Sequence, residues 1–163
     1  MTRPISRRML LAGMAIAMAL RPIAGSAQAD VPRGTKEEAQ ALVERALIEF
    51  QKVGPAEAYR EFSDKKGRFV DRDLYLIVFN RQGLILAHGA NEKLIGVNLW
   101  DVTDPDGVYF VREFWKKIEA EPQGGWVNFK FTHPITKKIE KKVMWVRRAS
   151  PDIIIIAGAY PAA

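Results

Sequence analysis

The chain has 163 residues, no cysteine and a formal net charge of +6. The absence of cysteine excludes disulfides, thiolate metal sites, covalently attached c-type haem and a cysteine nucleophile. Four of the 25 basic residues but none of the 19 acidic ones lie in the first 29 positions, so residues 30–163 keep a net charge of only +2. Because a nucleic-acid binder needs a concentrated basic face, this balance argues against that class of protein.

The first 29 residues have the features of an export signal. Arg7-Arg8 precedes the apolar run Met9 to Leu20, and Ala27 and Ala29 supply the small residues of an A-x-A cleavage site. The apolar run is too short to span a bilayer comfortably, although a leader kept as a membrane anchor is the alternative. The paired arginines also resemble the twin-arginine signature, whose passengers are exported already folded. We therefore expect cleavage after Ala29 and a periplasmic or otherwise exported domain of residues 30–163.

A long amphipathic helix is predicted at the start of this domain. Thr35 and Glu38 have the spacing of a capping box, in which their side chains satisfy free amides of the first turn. Apolar residues then recur every three or four positions up to Val53, and Gly54-Pro55 ends the pattern. A shorter helix is expected from Pro55 to about Phe62.

The rest of the chain reads as five strands and one insertion. The strands are short apolar or aromatic runs bounded by turn residues, and they are predicted at 74–79, 84–88, 126–132, 139–148 and 152–160. The last three have connections short enough for an antiparallel meander. Between the second and third strands, residues 91–120 begin with many glycines and aspartates and end with helical spacing.

The run Ile153 to Ile156 does not alternate with polar residues, so both faces of its strand should be covered. We assign the long helix to one face of the sheet and the insertion to the other. The predicted fold class is therefore α+β. An irregular insertion packs imperfectly, so a cavity between it and the sheet is the candidate site.

At this point the sequence resembles the second subtype of the single Cache sensor domains. The resemblance covers nearly all of residues 30–163 and rests on the order and spacing of several short patterns. These are Asp73 to Phe79, Gly83, Ala87-His88, Gly96, Asn98-Leu99, Asp104, Asp106-Gly107, Gly124 to Val127, Pro134, Lys142 and Gly158 to Tyr160. The resemblance implies a PAS-like sheet of five antiparallel strands with a long N-terminal helix. It also implies an extracytoplasmic sensor, usually part of a chemoreceptor or histidine kinase, that binds a small organic acid.

Two features differ from the receptor pattern. No second transmembrane helix or cytoplasmic output domain follows Tyr160, so we expect a soluble sensor that acts through a separate partner, such as a membrane sensor or an exported complex. Trp145 stands where the family often has tyrosine, three positions after its lysine.

Lys142 is the best candidate to bind an anionic metabolite. It matches the family's lysine on the fourth strand, and its neighbours Val143 to Val146 are apolar. The alternative is a solvent-facing lysine beside Lys141. His88 ends the second strand, where it could donate to an anion or sense pH, unless it has only a structural role. His133 reads as a turn residue.

Four aromatic residues complete the predicted ligand site. Trp126 is the first choice for a cavity wall because it follows two glycines, and Tyr160 is the second. Tyr75 and Trp145 are further candidates. Each of the four could instead fill core volume, as most strand aromatics do.

Other functions find little support. Arg112 could close over an anion, but it could equally belong to a solvated face. Asp101, Asp104 and Asp106 lack a calcium-loop pattern and read as turn residues. No catalytic or nucleotide-binding motif is present, so no enzyme, metal or cofactor is predicted. The alternatives kept open are an accessory protein that docks a membrane or redox partner and a non-covalent haem or flavin sensor using His88.

Overall fold

The structure, a computed structural model, describes residues 32–161; the expected export signal and its cleavage residues Ala27 and Ala29 lie outside them. The described residues form an α+β fold in which helices pack on both faces of a six-stranded antiparallel sheet. The helices are α1 Lys36–Val53, α2 Pro55–Ser63 and α3 Phe110–Ala120, with a short 3₁₀ turn at Glu92–Leu94. The strands are β1 Val70–Asp71, β2 Leu74–Asn80, β3 Ile85–His88, β4 Gly125–Thr132, β5 Ile139–Ser150 and β6 Ile153–Ala159.

The capping box predicted for α1 is formed. Thr35 Oγ1 accepts from the amide of Glu38 at 3.1 Å, and Glu38 Oε2 accepts from the amide of Thr35 at 2.8 Å. The helix ends at Gly54, whose φ of 80° suits a residue without a Cβ, and α2 begins at the next residue. No helix within residues 32–161 is both long enough and apolar enough to cross a membrane.

The strands are arranged in the order β1-β2-β6-β5-β4, and β3 pairs with β2 beside β1. All five predicted strands are present, and the two-residue β1 is an addition. The central position of β6, between β2 and β5, explains why its isoleucines do not alternate with polar residues. Ile154, Ile155 and Ile156 are all fully buried, because both faces of β6 are covered.

Alternate residues of the strands form two separate cores. The first core packs against α1 and α2, and the second packs against α3, as predicted for the long helix and the insertion. Aromatic rings fill the space beneath α3: Phe110 stacks on Phe129 at 4.9 Å, and Phe114 meets Phe129 edge-on at 5.6 Å. The cavity expected between the insertion and the sheet is therefore not beneath α3, and a cavity is found instead where the insertion begins.

Asp104 holds the irregular part of the insertion against the edge of the sheet. Its Oδ1 accepts from the amides of Asp106 and Val108, and its Oδ2 accepts from the amide of Lys130 on the edge strand β4, each at 2.9 Å. The turn interpretation of these aspartates is confirmed. Among residues 32–161, no group of three or more potential ligand side chains is placed to hold a metal ion.

Candidate ligand-binding site

A cluster of polar side chains lies at one end of the sheet, on the face that carries α3. Tyr75 on β2, His88 on β3, Lys142 on β5 and Tyr160 just after β6 are all buried there. Strand register brings them together, because β6 separates β2 from β5 and pairs with both. Gly158 on β6 leaves the space that the cluster occupies: a Cβ at this position would come within 2.1 Å of Met144 Sδ and 3.2 Å of Lys142 Cε.

The ammonium of Lys142 is the central group of this cluster. The residue is only 2% exposed, and its Nζ donates to Tyr75 Oη at 2.7 Å. The Nζ also lies 4.2 Å from the ring centroid of Tyr75 and 4.7 Å from that of Tyr160. No carboxylate of the described residues lies within ion-pair distance of it. The solvent-facing interpretation of Lys142 is therefore wrong, and its charge is held by a hydroxyl and aromatic faces alone.

His88 places a second donor beside Lys142. Its ring stacks on Tyr75 with centroids 5.1 Å apart, and its Nδ1 accepts from the amides of Ala90 at 3.2 Å and Asn91 at 3.0 Å. These bonds assign the ring proton to Nε2. Burial, followed by the charge of Lys142, lowers the pKa of His88 to about 4. The neutral ring thus offers an Nε2–H that is buried and has no hydrogen-bond partner in the part of the chain that is described.

A cavity of about 570 Å³ borders this cluster, and we call it the Tyr75 cavity. The segment after β3 forms one wall, and the end of β4 with the following turn forms the other. Its lining consists of Tyr75, Ala90, Asn91, Lys93, Leu94, Phe131, Thr132, His133, Pro134 and Lys137. The lining contains two lysines and no carboxylate.

The wall of the Tyr75 cavity is joined to the start of α1 by a buried polar pair that the sequence analysis missed. Asp73 Oδ2 lies 3.3 Å from His133 Nε2, and both residues are fully buried. His133 Nδ1 accepts from the amides of Ile135 and Thr136, while Asp73 Oδ1 accepts from the amide of Gly34 at 2.6 Å. His133 is thus a turn residue, as predicted, but it also anchors the turn to the N-terminal segment.

Tyr160 closes the cluster from the C-terminal side. Its hydroxyl donates to the carbonyl of Thr132 at 2.8 Å, and its ring lies 4.5 Å from that of His133. Burial, together with the neighbouring Tyr75, raises the pKa of Tyr160 well above its usual value. Tyr160 therefore remains a neutral hydroxyl that fixes the end of β4.

Trp126 and Trp145 do not reach this cluster. They pair with each other across β4 and β5 and pack on the core beneath α1, with ring centroids 5.1 Å apart. Trp145 Nε1 donates to Glu44 on α1 at 3.0 Å. The expectation that these tryptophans line the same cavity as Lys142 needs correction, because residues an odd number apart on a strand point to opposite faces.

Arg112 also lies away from the cluster. It is paired with Asp101 and stacks over Tyr109 at 4.2 Å, so it belongs to the solvated side of the insertion. A larger concavity of about 860 Å³ lies beside α3 and β4. The charged groups of that concavity are paired among themselves and with close neighbours, as Lys116 is with Glu113. Lys142 itself lines a smaller concavity of about 390 Å³, together with Asp104 and Asp106, whereas the Tyr75 cavity meets the polar cluster at Tyr75.

Comparison with known proteins gives the same fold. None of the curated proteins matches the sequence. A methyl-accepting chemotaxis protein from Vibrio parahaemolyticus superposes with a TM-score of 0.66 at 20% identity, over 77% of this chain and 87% of that one. The periplasmic sensor domain of a chemotaxis protein gives a TM-score of 0.60 at 24% identity, over 77% and 90%.

A third structure, of a Cache chemosensory domain that recognises carboxylic acid, gives a TM-score of 0.64 at 21% identity, over 77% of this chain and 92% of that one. At these identities the likeness establishes a shared fold. The family assignment rests on the sequence match. The model of the family described as single Cache domain 2 matches residues 15–162, so this chain belongs to the single Cache domain 2 family.

Proposed function

We propose that this protein is a non-catalytic sensor domain that binds a small organic anion outside the cytoplasm and acts through a separate partner protein. One observation carries the proposal: the buried Lys142 ammonium has no carboxylate partner among the described residues. Burying a charge without a counter-charge is costly, so such a group is typical of a site that a ligand completes.

The neighbouring groups favour a carboxylate as that ligand. Lys142 has three N–H donors, and only one of them has an acceptor, the hydroxyl of Tyr75. His88 Nε2–H adds another buried donor without an acceptor. A carboxylate placed between them would receive charge-assisted hydrogen bonds, while the surrounding rings exclude water.

The connection from the cavity to α1 supports a route to a partner. Ligand can shift a conformational equilibrium only if it binds one state better than the other. The turn at 133–137 forms part of the cavity wall, and His133 links that turn through Asp73 to the amide of Gly34. A movement of the turn would therefore be transmitted to Gly34, which precedes the capping box of α1. For this reason α1 is the surface that the partner would recognise.

A thermal-shift panel of short carboxylates, amino acids and amines tests the binding proposal. A true ligand raises the melting temperature by mass action. We expect a rise with carboxylates that disappears in Lys142→Met, which removes the charge and keeps much of the volume. Lys141→Met is the matched control, because Lys141 is exposed on the same strand. A rise that survives in Lys142→Met, or no response to any carboxylate, would contradict the proposal and favour the accessory-protein alternative.

Export is tested separately. Replacing Arg7 and Arg8 by lysine should stop export of the folded protein if the leader uses the twin-arginine route, because that route reads the arginine pair. Cell fractionation with a specific antibody measures the outcome. Unchanged export of the variant would favour an ordinary secretory signal.

A further inference from the structure

The turn between β4 and β5 exposes apolar and basic side chains next to one another. Ile135 and Ile139 are 48% and 61% exposed, and Lys137, Lys138 and Lys141 are exposed as well. We call these five residues the Ile135 surface. Single exposed apolar residues are ordinary, but apolar side chains set among lysines are the combination by which peripheral proteins contact lipid bilayers.

The positive charge of the Ile135 surface is not neutralised locally. Glu140 is the only acidic residue of β4, β5 and the turn between them. It is already occupied, because it pairs with Arg33 at 2.6 Å and accepts from the Thr136 hydroxyl at 2.8 Å. Within residues 32–161, none of the three lysines of the surface has a carboxylate within ion-pair distance.

Backbone and side-chain hydrogen bonds hold this turn in a fixed shape. The amide of His133 donates to the carbonyl of Lys138 at 2.8 Å, and the amide of Lys137 donates to the carbonyl of His133 at 3.0 Å. The buried ring of His133 accepts from the amides of Ile135 and Thr136. A surface that is already ordered loses little conformational entropy when it binds.

Both ends of the described chain lie beside the Ile135 surface. Arg33 Nη1 donates to Glu140 and also to the backbone carbonyl of Tyr160, at 3.4 Å. The apolar run of the leader ends at Leu20, about a dozen residues before Arg33. Even a fully extended connection of that length spans only roughly 40 Å. A protein held at the membrane by its leader, during export or afterwards, would therefore keep this surface close to the bilayer.

We propose that the Ile135 surface docks on an anionic phospholipid bilayer. The lysines are attracted to the phosphate head groups, and the two isoleucines enter the interface between head groups and acyl chains. Each lysine near an anionic surface strengthens binding roughly fivefold, so three lysines give a weak and reversible contact. This proposal is independent of the ligand proposed above.

Co-sedimentation of the exported protein with lipid vesicles tests the charge requirement. At low salt, phosphatidylglycerol vesicles should bind roughly tenfold more strongly than phosphatidylcholine vesicles, and added salt should reduce the difference. Lys138→Gln/Lys141→Gln should weaken binding to phosphatidylglycerol about tenfold. Lys137 is left in place because it lines the Tyr75 cavity. The matched control is Lys52→Gln/Lys116→Gln, which removes the same charge from two exposed lysines on helices and should bind as the native protein does.

A fluorescent label tests whether the apolar side chains enter the lipid. The chain has no cysteine, so a single introduced one is labelled uniquely. Ile139→Cys carrying an environment-sensitive dye should show a blue shift when phosphatidylglycerol vesicles are added. Ile48→Cys is the matched control, because Ile48 is 69% exposed on α1, and its dye should not respond.

Each unfavourable outcome overturns the docking proposal. Equal binding to the two lipids, or full binding by Lys138→Gln/Lys141→Gln, would show that the lysines do not recognise the bilayer. A blue shift at position 48 as large as that at position 139 would show that a different surface meets the lipid. Absence of binding to either kind of vesicle would favour an acidic protein as the partner of the Ile135 surface.

Discussion

Lys142 Nζ and Tyr75 Oη are 2.7 Å apart, although the residues are 67 positions apart in the chain. The bond crosses β6 above Gly158, which has no side chain to block it. It is the only hydrogen bond that the lysine side chain makes within residues 32–161. Removing the charge of this pair should therefore have opposite effects on two quantities, the stability of the ligand-free protein and its stabilisation by ligand.

Lys142→Met should separate binding from stability. We expect the free energy of unfolding of the ligand-free protein to stay unchanged or to rise by about 1–3 kcal/mol, because an apolar residue of similar volume replaces an unpaired buried charge. The stabilisation by carboxylates should be lost. Urea denaturation with and without ligand measures both quantities. A large loss of stability without ligand would show that the fold itself needs the charge.

Tyr75→Phe should have the reverse effect on the ligand-free protein. It removes the hydroxyl that accepts from Lys142 and keeps the ring, so the ammonium loses its hydrogen-bond partner. We expect the free energy of unfolding to fall by about 1–3 kcal/mol. Tyr160→Phe is the comparison, because its hydroxyl donates to the neutral carbonyl of Thr132. It should cost about 1 kcal/mol, and an equal or greater cost would contradict the special role of Tyr75.

Local patterns were sufficient to predict most of the fold. The capping box at Thr35, the stop at Gly54-Pro55 and the strand β2 each depend on residues close together in sequence, and all are present. The strand that was not predicted is β1, because its two residues are too few to show a recognisable pattern. The filled space beneath α3 was not foreseen, because aromatic spacing indicates which face is apolar and does not indicate how completely the rings fill the space.

The candidate site was harder to predict. Lys142, Tyr75, His88 and Tyr160 were all named from the sequence and come together, whereas Trp145 does not. The odd spacing between Lys142 and Trp145 places the two side chains on opposite faces of β5.

The pair of Asp73 and His133 could not have been found in the same way. The two residues come from different turns, about 60 positions apart in the sequence. Their contact depends on strand order and register, which no local pattern specifies.

The pH dependence of stability should report on His88. Its pKa is about 4 in the folded protein and 6.5 when unfolded, so the unfolded state binds the extra proton between these values. The contribution of His88 is complete above pH 6.5 and is lost as the pH falls towards 4, by up to about 3 kcal/mol. Protonation would also break the bonds from Ala90 and Asn91 to Nδ1 and so loosen one wall of the cavity.

His88→Asn isolates this contribution. The amide oxygen of asparagine can still accept from the two backbone amides, but it does not titrate. The difference in unfolding free energy between the native protein and the variant should therefore shrink as the pH is lowered from 6.5 to 4. Contributions from carboxylates are common to both proteins and cancel. A difference that does not change with pH would show that His88 is not buried as a neutral ring.

The link from the cavity wall to α1 can be measured by a double-mutant cycle on Asp73 and His133. In Asp73→Asn the amide oxygen can still accept from Gly34, but an N–H then faces His133 Nε2–H, and we expect a loss of about 2–4 kcal/mol. His133→Asn keeps an acceptor for the turn amides and removes the contact with Asp73. A coupling energy of about 1–3 kcal/mol is expected from the cycle, because the two side chains touch and are fully buried. If the two losses simply add, the polar pair does not join the turn to the N-terminal segment, and the route proposed from ligand to α1 loses its support.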